Sequence, residues 1–157
     1  MHASYLKKVN NSFLYSLFLI QKLPIAWISG LKVAGVTKDS AKVNIKFKYL
    51  NKNPFKSMYF ACQAMAAEMS TGLLALGCLD AQSEKVSMLV IDLNCSFTKK
   101  AIGTIQFVCE DGAKVKACID EAVETGKGVV CVMQSKGFNE AGDCVSTFNI
   151  NWTFKKK

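Results

Sequence analysis

The sequence predicts an α+β fold, an antiparallel sheet wrapped around one long apolar helix. Three observations carry this reading. Between Ser57 and Leu79 the chain holds a single charge, Glu68, in a run of Ala, Met, Leu, Gly and small polar residues. A helix there is apolar nearly all round, so it has to be enclosed rather than laid on a surface. Three pairs of segments show apolar residues recurring with period two, as half-buried strands do. A shorter helical pattern at Asp111–Gly126 separates the last two pairs. The order is helix, two strands, long helix, two strands, helix, two strands, and helices gathered on one face of an antiparallel sheet bury these apolar faces together.

Taken in order, residues 5 to 22 place Leu6, Val9, Phe13, Leu14, Leu17 and Phe18 at helical spacing, ahead of Leu23-Pro24 and a loop at Ser29-Gly30. This reads as one helix, about 5–22, packed on the domain; contact with a membrane surface is the alternative. From Leu31 the period changes to two. Leu31, Val33 and Gly35 precede a turn at Lys38-Asp39-Ser40, after which Ala41, Val43, Ile45, Phe47 and Tyr49 alternate with Lys42, Asn44, Lys46 and Lys48. The central helix is expected to start near Asn53, a good cap, with Pro54 in the first turn, where its missing N–H removes no bond.

Beyond it, Leu89, Ile91, Leu93, Cys95 and Phe97 alternate with Met88, Val90, Asp92, Asn94 and Ser96, and a second run covers Ile102 to Cys109, together reading as two long antiparallel strands. Val115, Cys118, Ile119, Ala122 and Val123 form the apolar stripe of the next helix, and Gly126 caps its end. Strands over Gly128–Lys136 and Asp143–Phe154 complete the chain, the last with Cys144, Phe148, Ile150, Trp152 and Phe154 facing inward.

The chain has 157 residues, half of them hydrophobic, which suits a single domain, 1–157, with a sizeable core. Its net charge is +8, and all 20 basic residues are Lys. Without Arg, the bidentate contacts that read bases and grip phosphate backbones are missing, so nucleic acid is not an expected partner. The lone histidine, His2, precedes the fold, which excludes a Ser/His or Cys/His triad and a histidine metal site within it; no metal is expected. Seven cysteines lie scattered, with no CxxC pair and mostly in apolar segments, which suits reduced thiols in a cytoplasmic protein.

A lone carboxylate inside the long helix marks the candidate site. Ala61, Ala64, Glu68, Gly72 and Ala75 fall on one stripe at steps of three or four, so small side chains flank the acid. Met58, Met65 and Met69 form an adjacent adaptable stripe suited to lining an apolar pocket, together with Tyr59. A membrane span is possible by length, but the mid-helix acid and the many Ala and Gly residues oppose it, and no stable membrane insertion is expected. A structural Glu satisfied by a hydrogen bond is the plain alternative to a functional one.

This pattern resembles the hotdog fold, specifically its acyl-CoA thioesterase branch. The likeness covers Leu31 to Phe154 and is nearest to an uncharacterised thioesterase-like group in which an N-terminal helix, an Asn-rich loop and a helix like Ala67-Glu68-Met69-Ser70-Thr71-Gly72-Leu73 are typical. In relatives an Asn or Gln before the central helix is followed fifteen residues later by an Asp or Glu, the spacing of Asn53 and Glu68. The resemblance implies hydrolysis of an apolar acyl thioester, with coenzyme A as part of the substrate and no separate cofactor. It implies Glu68 as base or nucleophile, Asn53 orienting water or carbonyl, and the Phe60 or Ala61 N–H as oxyanion donor. It also implies Lys99 or Lys100 near the coenzyme A phosphates, and a homodimer, or a tetramer of two dimers. Two positions depart from the pattern. Phenylacetate-pathway relatives carry His-Gly-Gly where this chain has Tyr59-Phe60-Ala61, and another branch has Thr or Ser where this chain has Gly72, leaving Thr71 as an offset substitute. The alternative is a non-catalytic acyl or lipid binder with the same pocket.

Overall fold

The computed structural model describes all 157 residues. Three short helices, α1 (Ala3–Val9), α2 (Ser12–Lys22) and α3 (Pro24–Ser29), precede the hairpin β1 (Leu31–Val36) and β2 (Ala41–Lys46). After a single 3₁₀ turn (Tyr49–Asn51) come the long helix α4 (Phe60–Leu79), β3 (Val86–Phe97), β4 (Thr104–Cys109), α5 (Gly112–Thr125), β5 (Val129–Phe138) and β6 (Cys144–Lys156). The six strands form one sheet in the order β1-β2-β4-β5-β6-β3, every pair antiparallel. Helix α4 packs along β1, β2, β4, β5 and β6, with α5 beside it against β5, β6 and β3. This is the expected α+β hotdog arrangement, a sheet wrapped about a central helix.

Period-two patterning explains the core. On β4 and β6, Ile105, Phe107, Phe148, Ile150 and Phe154 turn inward and are fully buried, and the Phe107 and Phe148 rings meet edge to face at 5.9 Å. Each such side chain stabilises the fold by roughly 1.5–3 kcal/mol relative to exposure. On α4, Ala66, Ala67 and Ala75 are fully buried, small enough to let the neighbouring elements approach the helix closely. Helix α4 is long and apolar enough to cross a membrane, yet most of it is buried inside this fold.

Four expectations change. Helix α4 begins at Phe60, not near Asn53, because the Asn53 side chain binds its own loop instead of a helix end. The N-terminal helix is broken at Asn10-Asn11. Asn10 leaves the helix to grip both the N–H and C=O of Val36 on β1, and Asn11 caps a new helix by accepting from Leu14 N–H. Its buried face is Tyr15 and Leu19, whereas Phe13, Leu14, Leu17 and Phe18 are exposed. Finally, β3 and β4 do not pair; β3 lies against β6 at one edge of the sheet, and α4 keeps an open stripe along Phe60, Glu68 and Leu76.

Candidate functional site

The loop before α4 is built by Asn53. Its carboxamide oxygen accepts from the N–H groups of Phe55 (2.9 Å) and Ser57 (3.2 Å), and its nitrogen donates to Ser57 Oγ (3.1 Å) and the Met58 carbonyl (3.3 Å). Lys56 completes the turn with φ of 60°, a left-handed conformation uncommon for a residue with a side chain. The loop is tied to its neighbours by Met58 N–H to the Ala101 carbonyl and Tyr59 N–H to Asn51. These bonds aim the first turn of α4 into a cleft of about 520 Å³ lined by Phe55, Met58, Tyr59, Phe60, Gln63, Phe97, Lys99 and Lys100. The N–H groups of Phe60 and Ala61 have no acceptor within the chain, so the positive end of the helix presents two free donors there.

Glu68 stands two turns further along the open stripe of α4. Its carboxylate makes no hydrogen bond or salt bridge. Glu68 is exposed to solvent along this stripe, and only its inner side is buried against the helix: a Cβ placed on Gly72 would lie 3.6 Å from Glu68 Oε1 and 3.7 Å from the Trp152 ring. This burial holds the Glu68 pKa above the usual carboxylate range. The Tyr15 phenol from α2 feels it in turn; burial, and then the charge of Glu68, push its pKa up to about 12. Tyr15 also walls a second cleft of about 720 Å³ between α1, α2 and the C-terminal half of α4, lined mainly by Leu14, Phe18, Leu73, Leu76 and Leu79.

The structure thus gathers Asn53, Met58, Tyr59, Phe60, Lys99 and Lys100 around one cleft and sets Glu68 apart from them on the same helix. At a rise of about 1.5 Å per residue, the Phe60 N–H and Glu68 stand roughly 12 Å apart along the axis. Thr71 turns into the core, where its hydroxyl donates to the Glu68 backbone carbonyl (2.9 Å) and accepts from Trp152 Nε1 (3.0 Å), so it does not reach the carboxylate. Ala61 and Met65 are half-buried, while Met58 and Met69 are buried. The roomier apolar space lies beside α2 instead. Lys99 is paired with Asp143 at 2.9 Å, and Lys100 donates to the Phe55 carbonyl at 3.3 Å. No group of three or more His, Cys, Asp or Glu stands ready to hold a metal.

Sequence reading missed three contributors. Gln63, buried at the cleft floor, donates to the Met58 carbonyl and accepts from Ser146 Oγ (2.9 Å). Trp152 packs beside Gly72, one turn from Glu68, and the Tyr15 phenol stands near enough to feel the Glu68 charge. A polar residue one turn into an apolar helix was a usable signal for Gln63; contacts from α2 and β6 were not encoded locally.

With this geometry in view, comparison with known proteins places the fold. No curated protein matches the sequence. Among solved structures, a Pseudomonas aeruginosa protein designated a probable thioesterase superposes with a TM-score of 0.76 at 19% identity, covering 91% of this chain and 95% of that one. A Chlorobaculum tepidum protein of unknown function gives 0.81 at 16%, covering 98% and 99%. A thioesterase of Staphylococcus aureus gives 0.63 at 13%, covering 84% and 98%. That last protein was solved with a Gln and with a Glu replaced by Ala, at positions fifteen residues apart, the separation of Asn53 and Glu68 here. At these identities the likeness is one of fold, a hotdog shared with thioesterase-like proteins. The family described as "Domain of unknown function (DUF4442)" matches residues 12–154, from α2 to the end of the β6 core, and the chain belongs to that family.

Proposed function

We propose that the protein is an acyl-CoA thioesterase-like hydrolase in which Glu68 acts as general base on water, or as nucleophile, toward an apolar acyl thioester. The observation that carries this reading is an unpaired carboxylate with a raised pKa on the open stripe of a hotdog central helix, on the same helix as two free N–H donors. As base, Glu68 takes a proton from water; the water oxygen attacks the thioester carbonyl, the N–H donors hold the oxyanion, and the C–S bond breaks as the thiolate leaves and is protonated.

A donor and a base roughly 12 Å apart on one helix cannot serve the same carbonyl. Two-fold pairing of antiparallel α4 helices would set the Glu68 of one subunit against the Phe60 N–H of its partner. The sheet supplies a means of pairing. Strand β3 leaves one edge free over twelve residues, contains no Lys or Pro to guard it, and exposes Leu89, Ile91 and Leu93. The proposed unit is therefore a homodimer. The acyl chain is assigned to the cleft beside Tyr15, and the coenzyme A phosphates to Lys99 and Lys100 at the rim of the other cleft, by the start of α4. Seven free thiols, four of them buried, suit a reducing cytoplasmic setting.

A specific observation favours a second reading, non-catalytic acyl binding. Asn53 is fully engaged by its own loop, and Tyr59 and Phe60 bring two aromatic rings, 5.0 Å apart, to the helix end where the resemblance to phenylacetate-pathway thioesterases implies His-Gly-Gly. The deciding experiment is a hydrolysis screen over acyl-CoA chain lengths with wild type and Glu68→Gln. The hydrolase reading expects turnover on longer apolar chains, little on acetyl-CoA, and a fall of about 100-fold in the variant. No hydrolysis by wild type on any chain length establishes the binder instead, and undiminished hydrolysis by folded Glu68→Gln removes Glu68 from the mechanism.

A further inference from the structure

The surface formed by α2, α3 and the 3₁₀ turn is apolar where nothing in the chain needs it to be. Tyr15 and Leu19 already seat α2 on the protein, yet Phe13 (70% exposed) and Leu17 stand on its opposite side, and α3 exposes Ile25 (60%) on one flank and Trp27 on the other. Tyr49 and Leu50 extend this surface, because Lys48 Nζ donates to the Ile28 carbonyl (2.8 Å) and Asn51 Nδ2 to the Ser29 carbonyl (3.1 Å), locking the 3₁₀ turn onto α3. Side chains of this size exposed together mark an interaction surface.

The positive charge of the chain is concentrated in the N-terminal stretch that supplies this surface. Residues 1–60 hold ten lysines and one acid, Asp39, a net charge of +9, whereas the other 97 residues hold ten lysines and eleven acids, a net −1. Lys22 ends α2 beside the patch, and Lys52 sits 4.0 Å above the Tyr49 ring at its other side. Apolar and aromatic residues flanked by Lys22 and Lys52, with no acid on α1, α2, α3 or the 3₁₀ turn and Asp80 the one acid lining the adjoining cleft, complement a surface that is apolar inside and negatively charged outside.

We infer that α2, α3 and the Tyr49–Asn51 turn form a foot that docks the protein on an anionic phospholipid bilayer. Phe13, Leu17, Ile25 and Trp27 enter the headgroup boundary, and the lysines meet lipid phosphates. Leu14 and Phe18 of the same helix wall the apolar cleft that runs to Tyr15, so docking sets the mouth of that cleft against the acyl chains of the membrane. Docking does not require turnover, and its test is separate from any hydrolysis assay.

The test uses the full chain with vesicles of phosphatidylcholine alone and of phosphatidylcholine with about one third phosphatidylglycerol. Cosedimentation is expected with the anionic vesicles, not the neutral ones, and is expected to weaken as salt rises. Trp27 is half-exposed and Trp152 is buried, so a blue shift of tryptophan emission on adding anionic vesicles reports entry of Trp27 into the bilayer. Neutralising Lys22 and Lys52 to Gln should weaken binding about fivefold for each lysine. Phe13→Ser with Ile25→Ser, both at exposed sites, should abolish the blue shift while leaving the thermal midpoint in place. Lack of binding at low salt, equal binding to neutral vesicles, or an unchanged blue shift in the serine variant overturns the inference. So does a fall in assembly size of that variant in light scattering, which would assign the patch to a second copy of the chain.

Discussion

Glu68 is an exposed carboxylate on an apolar stripe, buried on its inner side and with no partner for its charge, so the folded chain holds its proton more tightly than the unfolded chain does. The sign of the linkage follows. Its contribution to stability is fully present below the unfolded carboxylate pKa and is lost as pH rises through the higher folded value. Glu68→Gln removes that penalty. Its thermal midpoint at neutral pH should therefore equal or exceed that of wild type, and the difference should close in acid; a midpoint several degrees lower at neutral pH would mean that the charge has a stabilising partner. Hydrolysis, which needs the ionised form, should rise with pH through the same value. Gly72 allows this value to be moved. A Cβ there meets Glu68 Oε1 at 3.6 Å, an ordinary contact, so the hydroxyl of Gly72→Ser can donate to the carboxylate and favour its charged form. The alkaline-rising limb of the pH–rate profile should shift to lower pH in Gly72→Ser, and an unmoved limb would detach that limb from Glu68.

At the scale of the element, the wall behind Glu68 depends on one buried bond, Trp152 Nε1–H to Thr71 Oγ1. Thr71→Val keeps the shape but leaves the buried indole N–H without an acceptor, at a cost of about 1–3 kcal/mol, and Thr71→Ser should restore most of it. Denaturant unfolding of the two variants checks this; loss of turnover with stability intact would instead give Thr71 a chemical role. The elements themselves were unevenly legible. Strands β1, β2, β5 and β6 and helix α5 follow from period and end signals because each is amphipathic on its own. The start of α4 did not, since Asn53-Pro54 is equally good at closing a loop, and four hydrogen bonds to the Asn53 side chain decided for the loop. The N-terminal helix was harder still. Phe13, Leu14, Leu17 and Phe18 have core-like spacing, and periodicity cannot tell a face that meets the protein from one that meets something else.

At the scale of the molecule, the class of fold and Glu68 were readable because one charge in an apolar helix stands out, while strand order was not. β3 pairs with β6 across more than forty residues of intervening chain, a choice made by the wrapping of the whole sheet around α4 rather than by any local turn. Wrapping also leaves β3 with a free edge and α4 with a free stripe, and the proposed dimer uses both. Lysines at Leu89 and Leu93 would guard that edge. The double variant should run as a single chain in light scattering and lose hydrolysis, whereas an unchanged assembly would place the interface elsewhere. A sharper test follows from the separation of Phe60 and Glu68. Phe60→Pro removes the first N–H donor without opposing the helix, because Tyr59 before it is already extended and proline suits the first helical position. Alone, Phe60→Pro and Glu68→Gln should each be nearly inactive. Mixed and reassembled, half of the dimers combine the two variants. If each site takes its base from one subunit and its donor from the other, one of the two sites in every such dimer is intact, and activity should return to about a quarter of the wild-type value. If base and donor act within one subunit, no mixed dimer contains a complete site, and activity stays absent.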